Sequence, residues 1–291
     1  MRIVSNTSDS APQTITTSRW LSFWFCDAPG GASLFAIRAG LSLIACWYFA
    51  SHSADAGTWF SGTGLLATER LGDFLDSGDL TDEAKWRISP LYLTSSTVVV
   101  RIYLTLGILL AIAAMTIRTS RAPAILLWLW CLWLANRSLL IAGPEELALV
   151  FGLAYLTIPR PNDATHWTHV LARRLLQVHL TLLLAATGLT MLSSEIWWDG
   201  TGAVSIAAPI GRRVIDLTDL LASPWIHEPL THAVVIVPIA AAIMIWCQPT
   251  RKIAYFSLML WCIALAFLSS QWMYLATMAV LLQCFKPNHA K

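Results

Sequence analysis

Long apolar runs dominate this chain, and polar clusters interrupt them at fairly regular intervals. About 20 consecutive apolar residues carry an α-helix across the ~30 Å hydrocarbon core of a bilayer. Measured against that length, the pattern predicts spans at 33–52, 95–117, 122–141, 145–158, 171–193, 228–247, 253–268 and 271–285. The fourth and the last two are short. The final pair is divided at Ser269-Ser270-Gln271, because the whole stretch is too long for one crossing.

The expected fold is therefore all-α, a polytopic membrane helix bundle of about eight transmembrane helices. A single transmembrane domain covers 20–285, between a polar tail at 1–19 and a short tail at 286–291. Two connecting segments, about 53–94 and 194–227, are long and mix charges with apolar residues such as Leu71, Phe74 and Leu75, or Val214, Ile215 and Leu217. That mixture predicts short helices lying on the outer membrane surface. No internal repeat relates the two halves, which argues against a transporter built on inverted repeats.

Composition narrows the function. Of 291 residues, 56% are hydrophobic and 12% charged, against about 25% charged in soluble domains. A net charge of +2 gives no electrostatic footprint for nucleic acid, so the partner is the lipid bilayer. Six cysteines (Cys26, Cys46, Cys131, Cys247, Cys262 and Cys284) form no CxxC pair and read as small core residues, not as a disulfide framework or a metal site. No apolar region of signal-peptide length precedes Asp27, so the first span is expected to act as an uncleaved anchor.

Charge sets the orientation. With eight spans and the N-terminus inside, eleven Lys and Arg fall on the inner side, among them Arg118, Arg121, Arg160, Arg173, Arg174, Arg251 and Lys252. Six fall outside: Arg70, Lys85, Arg87, Arg137, Arg212 and Arg213. The positive-inside rule then places both termini in the cytoplasm, in a multi-pass protein of the cell inner membrane. Tryptophan follows the same division. Trp20, Trp24, Trp167 and Trp246 mark the inner boundary; Trp47, Trp59, Trp133, Trp197, Trp198 and Trp272 are among those at or beyond the outer one. Trp128, Trp130 and Trp261 fall deeper and are expected to pack between helices, and Trp20 to Phe25 suit a short helix on the inner surface.

Polar residues at membrane depth are costly and mark candidate sites. Arg38 and Arg101 lie near span ends, where they either snorkel or form a buried pair. Asn136 and Arg137 end the third span, and Gly143-Pro144-Glu145-Glu146 restarts the chain with proline and acids suited to a first helical turn. Asn136, Arg137 and Glu145 or Glu146 are thus expected to cluster at an outer mouth. Gln177 and His179 flank one position of the fifth span and point to different faces. Each suits an interhelical hydrogen bond; His179, near mid-membrane, also suits a proton-handling or headgroup-binding role. No second His or carboxylate lies at its depth, and no metal site is expected.

Three segments carry a resemblance: DAPGGASLFAIRAGL (27–41), ANRSLLIAGPEELALVFGLAYLTIP (135–159) and RRLLQVHLTLLLAATGLTMLSSEIWWDGTGA (173–203). In order, spacing and topology the chain resembles, from about 20 to 285, the HTTM family. This bacterial membrane domain is similar to the transmembrane part of vitamin K-dependent gamma-carboxylase. The resemblance implies oxygenation of a reduced quinone to its epoxide. The strong base so formed takes a gamma proton from a peptide glutamate, and the carbanion adds carbon dioxide. It also implies a desolvated cavity and a lysine base toward the quinol, following the glycine of the fifth helix in patterns like AGVKKL or GLSKL.

This sequence departs at three places. The matching residues are Gly188-Leu189-Thr190-Met191-Leu192, so Met191 stands where the lysine is expected, and a thioether is no base. The HNRN-like motif is Ala135-Asn136-Arg137-Ser138, without its first histidine. No segment corresponds to the carboxylase's large substrate-gripping lumenal domain. The expectation is a family member lacking carboxylase activity that binds a lipid-like ligand, such as a quinone of the menaquinone or vitamin K type, or a membrane protein partner. Its outward-facing cavity is bounded by spans three, four and five. Asn136, Arg137 and His179 are the candidate catalytic residues; Gln177, Met191, Trp198 and Asp199 are the candidate ligand contacts. The alternatives are a quinone-linked oxidoreductase or carboxylase-like enzyme with His179 as general base, and a transporter.

Overall fold

The computed structural model describes residues 19–26, 33–67, 88–138, 143–160, 166–207 and 218–286. All regular structure among them is helical. The long elements are α2 (Leu34–Ala54), α4 (Thr97–Thr116), α5 (Ala122–Arg137), α6 (Pro144–Leu156), α7 (Trp167–Leu192), α11 (Pro224–Met244), α12 (Arg251–Ser269) and α13 (Trp272–Leu282). A short α1 (Arg19–Phe25) precedes them, and a 3-10 turn (Gln283–Phe285) follows. Short helices α3 (Ala56–Phe60), α8 (Glu195–Trp198), α9 (Gly202–Ile206) and α10 (Thr218–Ala222), with a 3-10 turn at Pro90–Leu93, occupy the long connections. The acidic run from Asp73 to Glu83, and Val214, Ile215 and Leu217, lie outside the described residues.

Five helices, α2, α4, α7, α11 and α12, are long and apolar enough to cross a membrane. The other three expected spans form helices of 16, 13 and 11 residues. At 1.5 Å per residue, thirteen residues reach only about 20 Å, short of the ~30 Å core. The cause in α6 is local, because Pro144 fixes its first turn behind Gly143. In α13 it is Ser270, whose φ of 56° breaks the chain between α12 and α13 at the expected place.

The outward surface identifies the medium. On α12, Ile253, Phe256, Leu260, Ile263 and Phe267 form one exposed stripe, and on α4 so do Val98, Ile102, Leu106, Leu109 and Ile112. Water does not tolerate apolar surface on this scale; a bilayer does. The protein is an integral membrane protein.

Inside, α2 lies along α4, and α4, α5 and α6 pack in sequence. The other group runs α7 against α11, α11 against α12, and α12 against α13, with α13 also touching α2, α6 and α7. Small residues permit these approaches. A methyl group on Gly152 would stand 2.7 Å from Leu41 Cδ1, and one on Gly188 would stand 2.3 Å from Ile239 Cγ1, across the α7–α11 contact.

One buried contact follows from covalent structure. Pro238 sits inside α11 and has no N–H, so the carbonyl of Val234, four residues earlier, has no intrahelical donor. The Trp261 indole of α12 donates to that oxygen at 3.2 Å. An unmade backbone bond at membrane depth is costly, and Trp261 makes it. Trp261→Phe is therefore expected to lower stability by about 1–2 kcal/mol. In a Pro238→Ala background, which restores the helical donor, that cost should fall by at least half; thermal unfolding of the four proteins in one detergent measures it.

Candidate functional site

Each sequence-predicted residue has a definite place. Arg137, at the end of α5, is 1% exposed. Its guanidinium donates to the carbonyl of Leu66 and lies 5.9 Å from the Phe60 ring centroid and 5.5 Å from that of Tyr92. Asn136 donates from Nδ2 to the Ile88 carbonyl at 3.0 Å, and its own carbonyl accepts from the Tyr92 hydroxyl at 2.7 Å. The pair thus knits both described ends of the first long connection onto α5. Glu146 is turned to its own helix start, accepting from the Gly143 N–H at 2.6 Å, as a residue at the third helical position does in a capping box. The expected outer polar cluster is here a fastening of connection to bundle.

Gln177 and His179 do face different ways. Gln177, buried on α7, donates to the Cys284 carbonyl at 3.0 Å and accepts from Arg174 at 3.1 Å. Arg174 in turn donates to the Phe23 carbonyl at 3.0 Å, with Phe23 under its guanidinium at 4.3 Å. This node joins α1, α7 and the 3-10 turn after α13. His179 is half-buried against α6, where Nδ1 lies 3.2 Å from the Tyr155 hydroxyl and the ring packs on Phe151. Both residues make the interhelical bonds that mid-membrane amides and imidazoles suit.

Met191 lines a cavity of about 540 Å³ near the C-terminal end of α7, between α7, α12 and α13 and under α8 and α9. Of α5 and α6, only Pro144 contributes. The walls are mostly apolar (Leu183, Trp197, Ile206, Trp261, Leu265 and Leu275), with hydroxyls at Thr187, Thr190, Ser194, Ser269 and Tyr274 and the amide of Gln271. Thr187 and Tyr274 face one another at 3.4 Å. No Lys, His, Asp or Glu is among the described residues that line it. The cavity has the apolar walls and few polar groups of a small-molecule site but no side chain suited to take a proton near neutral pH.

Trp198 and Asp199 lie on the exposed side of the α8 turn; the Trp198 indole donates to the Leu192 carbonyl at 2.9 Å, and Trp197 is the residue facing the cavity. The turn beyond them, where Gly200 has φ 77°, is pinned by Thr231 of α11. Thr231 donates to the Gly200 carbonyl at 2.7 Å and accepts from Ala203 N–H at 2.9 Å. The structure therefore separates the predicted residues into five places and brings only Met191 into the cavity. Thr187 was visible in the sequence, one turn before Met191 on the same face. Tyr274 was not, because its neighbourhood depends on how the last two helices turn at Ser270.

The other expectations sort similarly. Arg38 is buried and donates to the Ile117 carbonyl at the end of α4, and it forms no ion pair among the described residues. Arg101 is exposed near the start of α4. All six cysteines are free; Cys131, Cys262 and Cys284 are buried, whereas Cys26 and Cys247 are exposed and are not core residues.

Comparison with family models, with curated proteins and with solved structures gives no match to this chain.

The geometry ranks the two polar residues of α7 by structural weight. Gln177→Leu removes partners from both Arg174 and the Cys284 carbonyl and is expected to cost about 1–3 kcal/mol. His179→Leu gives up one long hydrogen bond at a half-buried site and should cost less than about 1 kcal/mol. Thermal unfolding in detergent gives the order; an equal or reversed cost would contradict these bond assignments.

Proposed function

We propose that this integral membrane protein is of the HTTM type and binds a lipid-like ligand, of the size and polarity of a quinone, without carboxylating anything. The observation that carries the reading is the cavity beside Met191. Its walls suit an apolar ring and chain, and the Tyr274 hydroxyl suits a ring oxygen. Thr187 Oγ1, which donates to the Leu183 carbonyl at 2.8 Å, can accept from the hydroxyl of a reduced ring. A thioether occupies the place where the family resemblance implies a lysine base. The quinone-linked enzyme with His179 as general base is less well supported, since His179 is engaged by Tyr155 and is not among the cavity's lining residues.

In the same reading α5, α6 and α13 complete eight crossings of the cell inner membrane. The shorter helices are accommodated by packing inside the bundle, where protein and not lipid meets their ends. Eight crossings put both chain ends on one side, the cytoplasmic one by the charge bias; five would put them on opposite sides. A reporter that is active only in the cytoplasm is expected to work at either end of the chain.

The ligand reading is tested with a reduced menaquinone analogue. Fluorescence of Trp197 and Trp261 should change saturably in the wild type, with no oxidised quinone or epoxide formed. Thr187→Val should weaken binding about 5–10-fold, as expected for one lost hydrogen bond. Turnover by the wild type would overturn the non-catalytic reading, and turnover abolished in His179→Ala would establish the enzyme instead. Absence of any saturable signal would remove the ligand. Met191→Lys is a further arm: with the cavity otherwise diverged, it should gain no quinol oxidation.

A further inference from the structure

A second cavity, of about 530 Å³, opens at the opposite end of the bundle. It lies where α2 begins, α4 gives way to α5, α6 ends and α7 begins. Arg38, Arg118, Arg121 and Arg160 all line it, with His169 and Ser33, and no carboxylate is among the described lining residues. Leu34, Phe35, Leu156 and Pro159 supply apolar wall.

The arrangement leaves donors without acceptors. Arg38 is 8% exposed; one guanidinium nitrogen donates to the Ile117 carbonyl, but its buried Nε has no hydrogen-bond partner. The buried Nε of Arg121 has none either. The ring of Phe35 lies 5.0 Å from the Arg38 guanidinium and 4.2 Å from that of Arg118. Stacking of this kind orients a guanidinium through its face and leaves the N–H groups in its plane free to donate. Arg160 is fixed through its backbone, its N–H donating to Thr168 Oγ1 at 3.1 Å and its carbonyl lying 2.8 Å from His169 Nε2. Four like charges around one space repel, and unpaired buried donors are costly. Both terms are relieved by one occupant, an anion with several acceptor oxygens.

We propose that this cavity binds a phosphate group, whose oxygens match the planar forks of arginine. Its place at a bundle end, with apolar wall beside the arginines, suits the headgroup of an anionic phospholipid whose chains leave along the helices. A free phosphate ion offers the same chemistry. The inference does not depend on a quinone-like ligand at the other end.

The full-length protein, purified in a mild detergent, is exposed separately to phosphatidylglycerol, phosphatidylcholine and inorganic phosphate. Retention is read by native mass spectrometry, and stabilisation by thermal unfolding. Phosphatidylglycerol is expected to be retained, one molecule per chain, well above phosphatidylcholine. Arg118→Gln with Arg160→Gln, both exposed positions and tolerant of change, should weaken retention by about tenfold or more. Lys252→Gln with Lys286→Gln removes two charges outside the cavity and should leave it unchanged. Stabilisation by inorganic phosphate that matches the lipid's, and is lost in the same arginine variant, assigns the site to a free anion; stabilisation by the lipid alone assigns it to a headgroup. Equal retention of the zwitterionic lipid, or equal loss in the lysine variant, would overturn the proposal, as would an absence of binding by both anions.

Discussion

A buried backbone carbonyl left without a donor is costly, and this fold has several such carbonyls in its turns and at the ends of its helices. Arginine meets three of them. Arg38 reaches the carbonyl of Ile117, Arg137 that of Leu66 and Arg174 that of Phe23, each across more than seventy residues of sequence. In each case an aromatic ring lies near the guanidinium. The charge is thereby balanced by dipoles and ring faces, a cheaper arrangement than bringing a buried carboxylate alongside. Trp261 performs the same service for the carbonyl that Pro238 strands in α11. The connections of the bundle are fixed by these donors, and the cavities are what remains between the elements so fixed.

The helices themselves were legible, because a twenty-residue apolar run has few other physical solutions. Their boundaries in the structure fall within a few residues of the apolar runs, except where a helix starts or stops at a particular residue. Thus α5 ends at Arg137 and α7 extends back to Trp167. The depth of Trp261 was also legible from its position within a span. The partners of the polar residues were not. Sequence places Arg38 near a span end and stops there; that it meets the end of α4 is decided by the turn between α4 and α5. Likewise, the polar run after α7 pointed to Trp198 and Asp199, whereas the turn geometry at Gly200 sends their neighbour Trp197 inward. Such partners are set by packing between distant segments, which no local pattern encodes.

The two cavities lie near opposite ends of the bundle and differ in chemistry. Among the described residues, one is lined by hydroxyls and apolar walls without a charge, the other by guanidinium groups without a carboxylate, and none lines both. Close helix contacts at Gly152 and Gly188 leave no room for even a methyl group against the side chains of Leu41 and Ile239.

The Arg174–Gln177 node has a consequence for the order of synthesis. Its acceptor, the carbonyl of Cys284, lies 107 residues further along the chain. A membrane protein made from its N-terminus must therefore carry α7 in the bilayer, with that amide donor unmet, until α11, α12 and α13 have emerged and the last of them has folded back. The polar face of α7 is thus both a device of the folded bundle and a latch that only a chain extended past α13 can close.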